Sequence, residues 1–242
     1  MHIDPCERFM HHTHTMDVFY FLQERTKLIR HFYDSASTSF VETKRLIDLG
    51  APPFDNPPFD DSGEPAFLVE WLQADVEQEL VGRACVSMLS ESLKQFFVTW
   101  ERQIAGTPPR CQLDFKTVFK KGFVAGYIAC FGKALSFKAR DCPADLAVIE
   151  QVVLARNRAQ HFDVNWPNVQ HDEDTRSKFP HPFFARADEA WPDDGSSPFI
   201  GPWVHINRDN LFRAIGEVEQ LGSWLQTRIE DHFLPLIKNS ST

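Results

Sequence analysis

Apolar side chains recur every three or four residues over most of this chain, and this spacing limits what the chain can fold into. The stretches 16–49, 66–104 and 113–138 each repeat that interval, which places their apolar side chains on one face of a helix. A half-buried β-strand would alternate apolar and polar residues instead. We therefore predict an all-α protein, an up-down bundle of four to five long helices with a long irregular segment before the last helix.

Glycine, proline and capping residues predict where these helices begin and end. The first stretch is expected to end at Gly50, with an interruption at 35–39 that makes it one long helix or two shorter ones. The fourth helix begins near Pro143, which suits a first helical turn, and the last is capped by Asn207 or Asp209. The expected helices are 16–49, 66–104, 113–138, 143–161 and 207–233.

Two segments are predicted to be loops because proline and turn-forming residues dominate them. Residues 51–65 contain five prolines, and residues 162–206 are dense in Pro, Asp and Trp, with a short hairpin expected around 196–206. Residues 1–15 are expected to be flexible. The length predicts a single domain over 1–242.

Charge and hydropathy exclude several classes of protein. The formal net charge of -9 argues against non-specific binding along nucleic acid, although a local basic site stays compatible with it. No apolar run approaches the roughly 18 residues that a membrane helix needs, and the N-terminus lacks the apolar core of a secretion signal. We expect a soluble cytoplasmic protein with no membrane partner.

The cysteine and histidine pattern predicts no metal site and no cofactor. The five cysteines are odd in number and never spaced as CxxC, which excludes a regular disulfide framework or thiolate zinc site. His11, His12 and His14 are of the residue type that binds zinc or nickel, but in a flexible terminus adventitious binding is the simpler interpretation. No glycine-rich phosphate loop or HExxH motif is present.

The end of the fourth helix combines an arginine, an asparagine and a histidine with an apolar arc. Arg156 falls near the middle of that arc, whereas Asn157 and His161, four residues apart, share another edge of the helix. One interpretation pairs Arg156 with a buried carboxylate and leaves His161 as a polar helix terminus. The other interpretation brings the permanently charged guanidinium of Arg156 together with the imidazole of His161, which titrates near neutrality, so that the two bind a phosphate and act on it.

The pattern Arg156-Asn157-x-x-x-His161, late in a helix of a helical bundle, resembles the Arg-x(4–6)-His signature of the HEPN superfamily. In that signature a polar residue, frequently Asn, follows the Arg. Looser matches such as Arg176 with His181 lack this Asn. The resemblance implies a four- or five-helix bundle that forms a homodimer, with two motifs in one cleft, and a metal-independent endoribonuclease that leaves a cyclic phosphate.

The resemblance also implies a role for each residue of the motif. His161 would act as general base or acid, since an unperturbed imidazole titrates near pH 6.5. Arg156 would neutralise charge on the phosphoryl oxygens, and Asn157 would hold either the histidine or a phosphate oxygen. Arg158 is a candidate helper, with a solvated polar position as the alternative. Asp163 stands where family members with a nucleotidyltransferase antitoxin commonly carry Tyr, so control by that route is not expected.

An RNA substrate requires positive potential, and the segment just before the motif helix offers it. Residues 115–140 contain six basic side chains and no acidic one. The predicted RNA-binding residues are Lys116, Lys120, Lys121, Lys133, Lys138, Arg140 and Arg158. The alternative is an ordinary helix whose Phe side chains enter the core while its lysines face solvent.

The sequence thus predicts an endoribonuclease with RNA as substrate, which forms a homodimer and is the toxin or defence component of a system regulated by an inhibitor or antitoxin protein. A HEPN-like module without catalysis, which binds a partner or a nucleotide, is the second hypothesis. A purely structural helical protein is the third, and it would pair Arg156 within one subunit and turn His161 toward water.

Overall fold

The computed structural model describes residues 17–57, 61, 63–105, 119–160, 169–189, 191 and 202–239. Within these ranges the chain is mostly helical, and extended pairing is limited to one isolated antiparallel bridge between Gln170 and Trp203. The predicted all-α class is therefore confirmed. The N-terminal residues 1–15, expected to be flexible, lie outside the described residues.

Six α-helices follow one another in the described part of the chain. They are α1 (Val18–Leu49), α2 (Leu68–Ala105), α3 (Phe123–Leu135), α4 (Leu146–Gln160), α5 (Glu173–Lys178) and α6 (Arg208–Asn239). Short 3-10 turns precede α3 and α4, at Phe119–Lys121 and Ala139–Asp141. None of the described helices is both long enough and apolar enough to cross a membrane.

Helix α1 runs without a break, so the interruption expected at residues 35–39 is wrong. Ser37 and Thr38 donate their hydroxyls to the carbonyls of Tyr33 and Asp34, one turn earlier. These bonds satisfy the hydroxyl groups inside the helix, so they do not compete with its backbone ladder. At the C-terminus Gly50 adopts the left-handed conformation and ends the helix where the sequence predicts.

Helix α3 is shorter than the predicted 113–138, because specific contacts end it on both sides. Gly122 precedes it at φ +135, a conformation that L side chains rarely adopt. The Glu150 carboxylate of α4 then accepts hydrogen bonds from the N–H groups of Phe123 (2.9 Å) and Val124 (2.8 Å). Ser136, at φ 59, closes the other end. The predicted residues 113–118 lie outside the described residues.

Helix α4 begins three residues after the expected Pro143. Asp145 is its cap, since one carboxylate oxygen accepts from the N–H groups of Ala147 (3.0 Å) and Val148 (3.2 Å). The helix ends at Gln160 in the described chain, and His161 lies outside the described residues.

The segment predicted as a loop at 162–206 contains the six-residue helix α5, so that prediction is wrong in this part. Asp172 caps α5 by accepting from the Thr175 N–H at 2.9 Å. The first six residues of the hairpin expected around 196–206, which are 196–201, lie outside the described residues. Trp203 pairs instead with Gln170, a distant residue. The described residues of the other predicted loop, 51–65, contain no helix or strand.

Helix α6 begins as predicted at the Asn207 cap, but it continues to Asn239, beyond the expected end near Phe233. The Asn207 side chain accepts from the Asn210 N–H, and the Asn210 side chain accepts from the Asn207 N–H, both at 2.9 Å. This reciprocal pair satisfies two backbone donors at the start of the helix.

The long helices pack around α1 and α2. Arg25 contacts Ser92, and Lys44 contacts Asp75, so α1 and α2 are antiparallel. Helix α6 also runs antiparallel to α1, since Arg30 contacts Glu219 and Asp34 contacts Arg208. It packs against α2 and α4 as well, and α4 in turn packs against α2 and α3. One hydrophobic cluster joins side chains of all five long helices. Its aromatic centre lies between α2 and α3 and includes Phe96, Phe97, Trp100, Tyr127 and Phe131.

Gly82 lets the chain before α6 cross directly over α2. A Cβ at this position would lie 2.9 Å from the Ile206 Cβ and still closer to the Ile206 carbonyl oxygen. Only glycine allows so short a separation between the α2 backbone and the crossing segment. The packing of residues 204–206 onto α2 therefore requires a residue without a side chain at position 82.

We expect Gly82→Ala to lower the free energy of unfolding by about 1–3 kcal/mol, because the new methyl group must displace the Ile206 backbone. Gly216→Ala in α6 is the matched control, since no atom beyond its chain neighbours and its own helix backbone lies within 4 Å of its Cβ position. That change should stabilise the protein by up to about 1 kcal/mol through helix propensity. Urea unfolding of both variants measures their free energies of unfolding. Equal changes in the two variants would contradict a close approach of Ile206 to α2 at Gly82.

We expect Glu150→Gln to lower the free energy of unfolding by about 1–2 kcal/mol, because the amide keeps the shape but removes the negative charge from the α3 N-terminus. Glu91→Gln on the surface of α2 serves as control, with an expected change within about 0.5 kcal/mol. Thermal and chemical unfolding measures the loss of stability in each variant. Equal losses in Glu150→Gln and Glu91→Gln would refute the capping role of Glu150.

Candidate functional site

Arg156 and Asn157, the first two residues of the predicted motif, contact each other in the last turns of α4. The Arg156 Nη1 donates a hydrogen bond to the Asn157 Oδ1 at 3.1 Å. The Arg156 side chain is half-buried beside the fully buried Ala155, and Asn157 is exposed. Arg156 makes no ion pair with the described residues, so the expected pairing with a buried carboxylate is not seen there.

The third residue of the motif, His161, lies outside the described residues. Its expected approach to Arg156 therefore stays a prediction. In this structure the asparagine accepts a hydrogen bond from the arginine, and its predicted role of holding the histidine or a phosphate oxygen stays a prediction.

Arg158, predicted as an RNA contact, has a structural partner. Its Nε donates to the Gln170 carbonyl at 2.8 Å, and the side chain is half-buried. Gln170 belongs to a pair of extended segments, 169–171 and 202–206, which we call the crosspiece. Arg158 therefore joins the end of α4 to the crosspiece, and this bond occupies one of its donors.

The predicted basic strip presents its described side chains to solvent. Lys120, Lys133, Lys138 and Arg140 are exposed, whereas Phe131 in the same segment is fully buried. Lys116 and the side chain of Lys121 lie outside the described residues. This pattern is that of a helix with an aromatic core face and a basic outer face. It is compatible both with an RNA-binding surface and with an ordinary helix whose lysines face solvent.

The crosspiece is built from backbone hydrogen bonds and one buried histidine. The Val204 N–H donates to the Val169 carbonyl at 2.6 Å, and the His171 N–H donates to the Pro202 carbonyl at 3.1 Å. The His171 ring is buried, and its Nε2 bonds the Phe184 carbonyl at 2.8 Å. Because a carbonyl only accepts, Nε2 carries the proton in the neutral ring.

A buried carboxylate on α2 fastens the crosspiece to the bundle. Glu79 accepts a short hydrogen bond from the His205 Nδ1 and a second one from the Ile206 N–H at 3.3 Å. Glu79 and His205 are 126 residues apart, and no motif links them. A charged residue among the buried positions of α2, three residues before Gly82, is the signal in the sequence that marks this position.

A cavity of about 200 Å³ opens between α2 and α4, one turn beyond Glu79. Its lining residues are Leu80, Arg83, Ala84, Ser87 and Ala159. Arg83 is 7% exposed, and Ala159 follows Arg156 by three residues on the same side of α4. We call this space the α2–α4 cavity. It places a buried guanidinium beside the end of the motif helix, which sequence patterns did not predict.

Burial and Glu79 both affect the pKa of Arg83. Burial lowers the pKa of Arg83, and the charge of Glu79 raises it with a smaller effect. An arginine stays protonated under all physiological conditions despite such a shift. The cavity wall therefore carries a permanent positive charge.

The described residues include no cluster that suits a metal ion. No group of three or more His, Cys, Asp or Glu side chains is placed to bind one in those ranges. The free cysteines Cys85, Cys130 and Cys142 are at least half-buried, and burial raises the pKa of Cys85 to about 12. That thiol is neutral and unreactive at physiological pH. The histidines at 11–14 lie outside the described residues.

We expect the free energy of unfolding to fall as the pH drops from about 7 to 5, because burial lowers the pKa of His171. The unfolded ring takes up a proton near pH 6.5, whereas the folded ring resists protonation, so acid favours the unfolded chain. Urea unfolding at several pH values measures this slope. The lowered pKa values of Asp34 and Glu219 act in a separate window, below about pH 4.5.

His171→Gln should flatten the slope between pH 7 and 5, since the amide keeps a donor but does not titrate there. His31→Gln, at an exposed position of α1, should leave the slope in place. An unchanged slope in His171→Gln would show that another group causes the acid sensitivity.

No protein-family model matches this chain. No curated protein and no solved structure matches it either. A proposal about its function therefore rests on the residues and geometry of the chain itself.

Proposed function

We propose that this chain is a metal-independent endoribonuclease of the HEPN type, whose active site forms where the Arg156–His161 motifs of two copies meet. The observation that supports it most directly is the contact of Arg156 with Asn157 at the end of α4. An arginine and the polar residue that follows it lie there in the last turns of a helix of an all-α protein, and that position supports the HEPN resemblance.

The state of Arg156 suits phosphate binding better than a role in the core. A guanidinium has five N–H donors in a planar fork, and the bond to Asn157 accounts for one of them. Half-burial reduces solvent screening, which strengthens attraction to an anion. The planar fork matches two oxygens of a phosphate, so Arg156 is suited to neutralise charge on a phosphoryl group.

The proposed reaction is an internal transesterification. His161 of one copy takes the proton from a ribose 2′-hydroxyl while that oxygen forms a bond to the adjacent phosphorus. The bond from phosphorus to the 5′-oxygen breaks, and His161 of the second copy gives a proton to that oxygen. Arg156 stabilises the charge on the phosphoryl oxygens during the change. The products are a 2′,3′-cyclic phosphate and a 5′-hydroxyl.

An exposed apolar surface supports the homodimer in this proposal. Phe21, Leu28 and Phe32 follow one another at intervals of seven and four residues, which places them on one face of α1. Their exposed fractions are 53%, 63% and 42%. Leu80 and Met88 on α2 are also exposed, by 52% and 40%, and Leu80 lines the α2–α4 cavity. Exposed apolar residues in a stripe are typical of a contact surface.

A HEPN-like module without catalysis is the second candidate. The observation that favours it is the use of Arg158 as a link to the crosspiece, together with a net charge of -9. Both features limit the positive surface offered to a long RNA, whereas a short nucleotide or a protein partner needs much less of it.

We expect purified protein to cut mixed RNA in the presence of EDTA, and Arg156→Ala and His161→Ala to slow cleavage by at least about a hundredfold. Gel analysis of labelled RNA measures the rate, and phosphatase resistance of the new 3′-end identifies the cyclic phosphate. Circular dichroism of each variant confirms that the helices remain.

The control is a second arginine and histidine at the same spacing. Arg176→Ala and His181→Ala alter a pair five residues apart that lies at α5, in which Arg176 contacts Glu173 at 3.7 Å. These variants should cut RNA at the rate of the unmodified protein. RNA bound but left intact would favour the module, and equal losses in the control pair would refute a role specific to the motif.

A further inference from the structure

An exposed row of apolar side chains runs along the first turns of α2. Its members follow one another at intervals of three, four and four residues, which places them on one face of the helix. They are Val69, Leu72, Val76 and Leu80, and we call them the α2 row. Val69 is 73% exposed, Leu72 49% and Leu80 52%, whereas Val76 is partly buried. Leu80, which the homodimer proposal also uses, marks the end of the row.

The hydrophobic core does not account for this row. Among the described residues of α2, those that join the hydrophobic cluster begin at Val81. The part of α2 before Val81 is fastened to α1 by polar contacts, in which Lys44 bonds Asp75 at 2.7 Å and the Trp71 Nε1 donates to Asp48 at 3.0 Å. The row therefore contributes little to the core, and a continuous row of exposed apolar side chains is typical of a contact surface.

The same part of α2 is acidic. Residues 66–82 contain four carboxylates and no Lys, Arg or His. Two of these carboxylates, Asp75 and Glu79, bond side chains elsewhere in the fold. The other two, Glu70 and Glu77, make no ion pair with the described residues. Each of them directly follows a valine of the row, and they are seven residues apart, so they form an acidic edge along it.

An apolar row with an acidic edge suits an amphipathic helix as its partner. Such a helix packs its apolar face against the row, and Lys or Arg side chains at its margin reach Glu70 and Glu77. The row is about 17 Å long, which corresponds to about three turns of a partner helix. RNA is a poor partner for this surface, because its phosphates would meet the two carboxylates.

A second copy of the chain fits this surface less well. It would present the same row, and residues 66–82 contain no basic side chain to meet Glu70 and Glu77. An isologous contact would therefore bring like charges together, which weakens association.

We infer that the α2 row binds an amphipathic helix of a partner protein, and that this helix carries Lys or Arg along one margin. Val69, Leu72 and Val76 bind its apolar face, and Glu70 and Glu77 bind its cations. This inference goes beyond the ribonuclease proposal and does not rest on it.

Two designed helical peptides of about 18 residues, or five turns, probe the surface. Both carry leucines at the spacing of the row, and they differ only at the margin, which is Lys in one peptide and Glu in the other. In fluorescence anisotropy at low salt, the Lys peptide should bind the full chain at least about tenfold more tightly than the Glu peptide. Added salt should reduce this preference, because it screens exposed charges.

A charge reversal separates the acidic edge from the net charge of the protein. Glu70→Lys combined with Glu77→Lys should invert the preference, so that the Glu peptide binds more tightly. Glu173→Lys combined with Glu230→Lys is the matched control, since it changes the net charge equally at exposed positions of α5 and α6. The control should keep the preference of the unmodified protein.

A change in the row tests the apolar part of the contact. Leu72→Ser should weaken binding of the Lys peptide at least about tenfold, because it removes an apolar side chain near the centre of the row. Leu28→Ser, at an exposed apolar position of α1, is the control and should bind the peptide normally. Circular dichroism of each variant checks that the helices remain.

Equal binding of the two peptides, or an unchanged preference after the charge reversal, would overturn the basic partner. Binding that survives Leu72→Ser, or no binding of either peptide, would overturn the row as the contact. In sedimentation, Leu72→Ser should keep the oligomeric state of the unmodified protein, and loss of a dimer would assign the row to a second copy instead. Peptide binding involves no RNA, so a failed cleavage assay leaves this outcome unaffected.

Discussion

A close crossing of the chain over α2 sets the geometry around the candidate site. Gly82 has no side chain, so Ile206 can lie against the α2 backbone, and Glu79 bonds the Ile206 N–H on the same face. The crosspiece held in this way presents the Gln170 carbonyl to Arg158. The end of α4 is therefore tied to the crosspiece through Arg158 in addition to its direct packing on α2, and these two helices line the α2–α4 cavity.

The polar residues of α4 divide into connectors and candidate functional groups. Glu150 caps α3, Gln151 accepts from the Phe183 N–H at 2.7 Å, and Arg158 donates to the crosspiece. Each of these side chains binds the backbone of another segment, which explains why polar groups are retained on a helix packed in the core. Arg156 and Asn157 lie between the connectors along the helix and bond each other instead.

The sequence predicts those features that depend on neighbours along the chain. Apolar spacing predicts the long helices, and the caps at Gly50 and Asn207 are local, so both are confirmed. The start of α3 depends on Glu150, which follows it by 27 residues, and no local pattern contains that information. In the site, the contact of Arg156 with its neighbour could be anticipated, whereas Arg83 joins α4 only through the tertiary fold.

The same distinction between local and distant effects applies to charge. A net charge of -9 describes the whole molecule, but exposed charges separated by more than about 8 Å are largely screened at physiological salt. Arg83, at 7% exposure, lies where solvent screening is weak, so its charge acts strongly on its immediate surroundings. The negative net charge is therefore compatible with the proposed contact between Arg156 and a phosphate. Local burial, and not the total charge, sets the field around a half-buried or buried guanidinium.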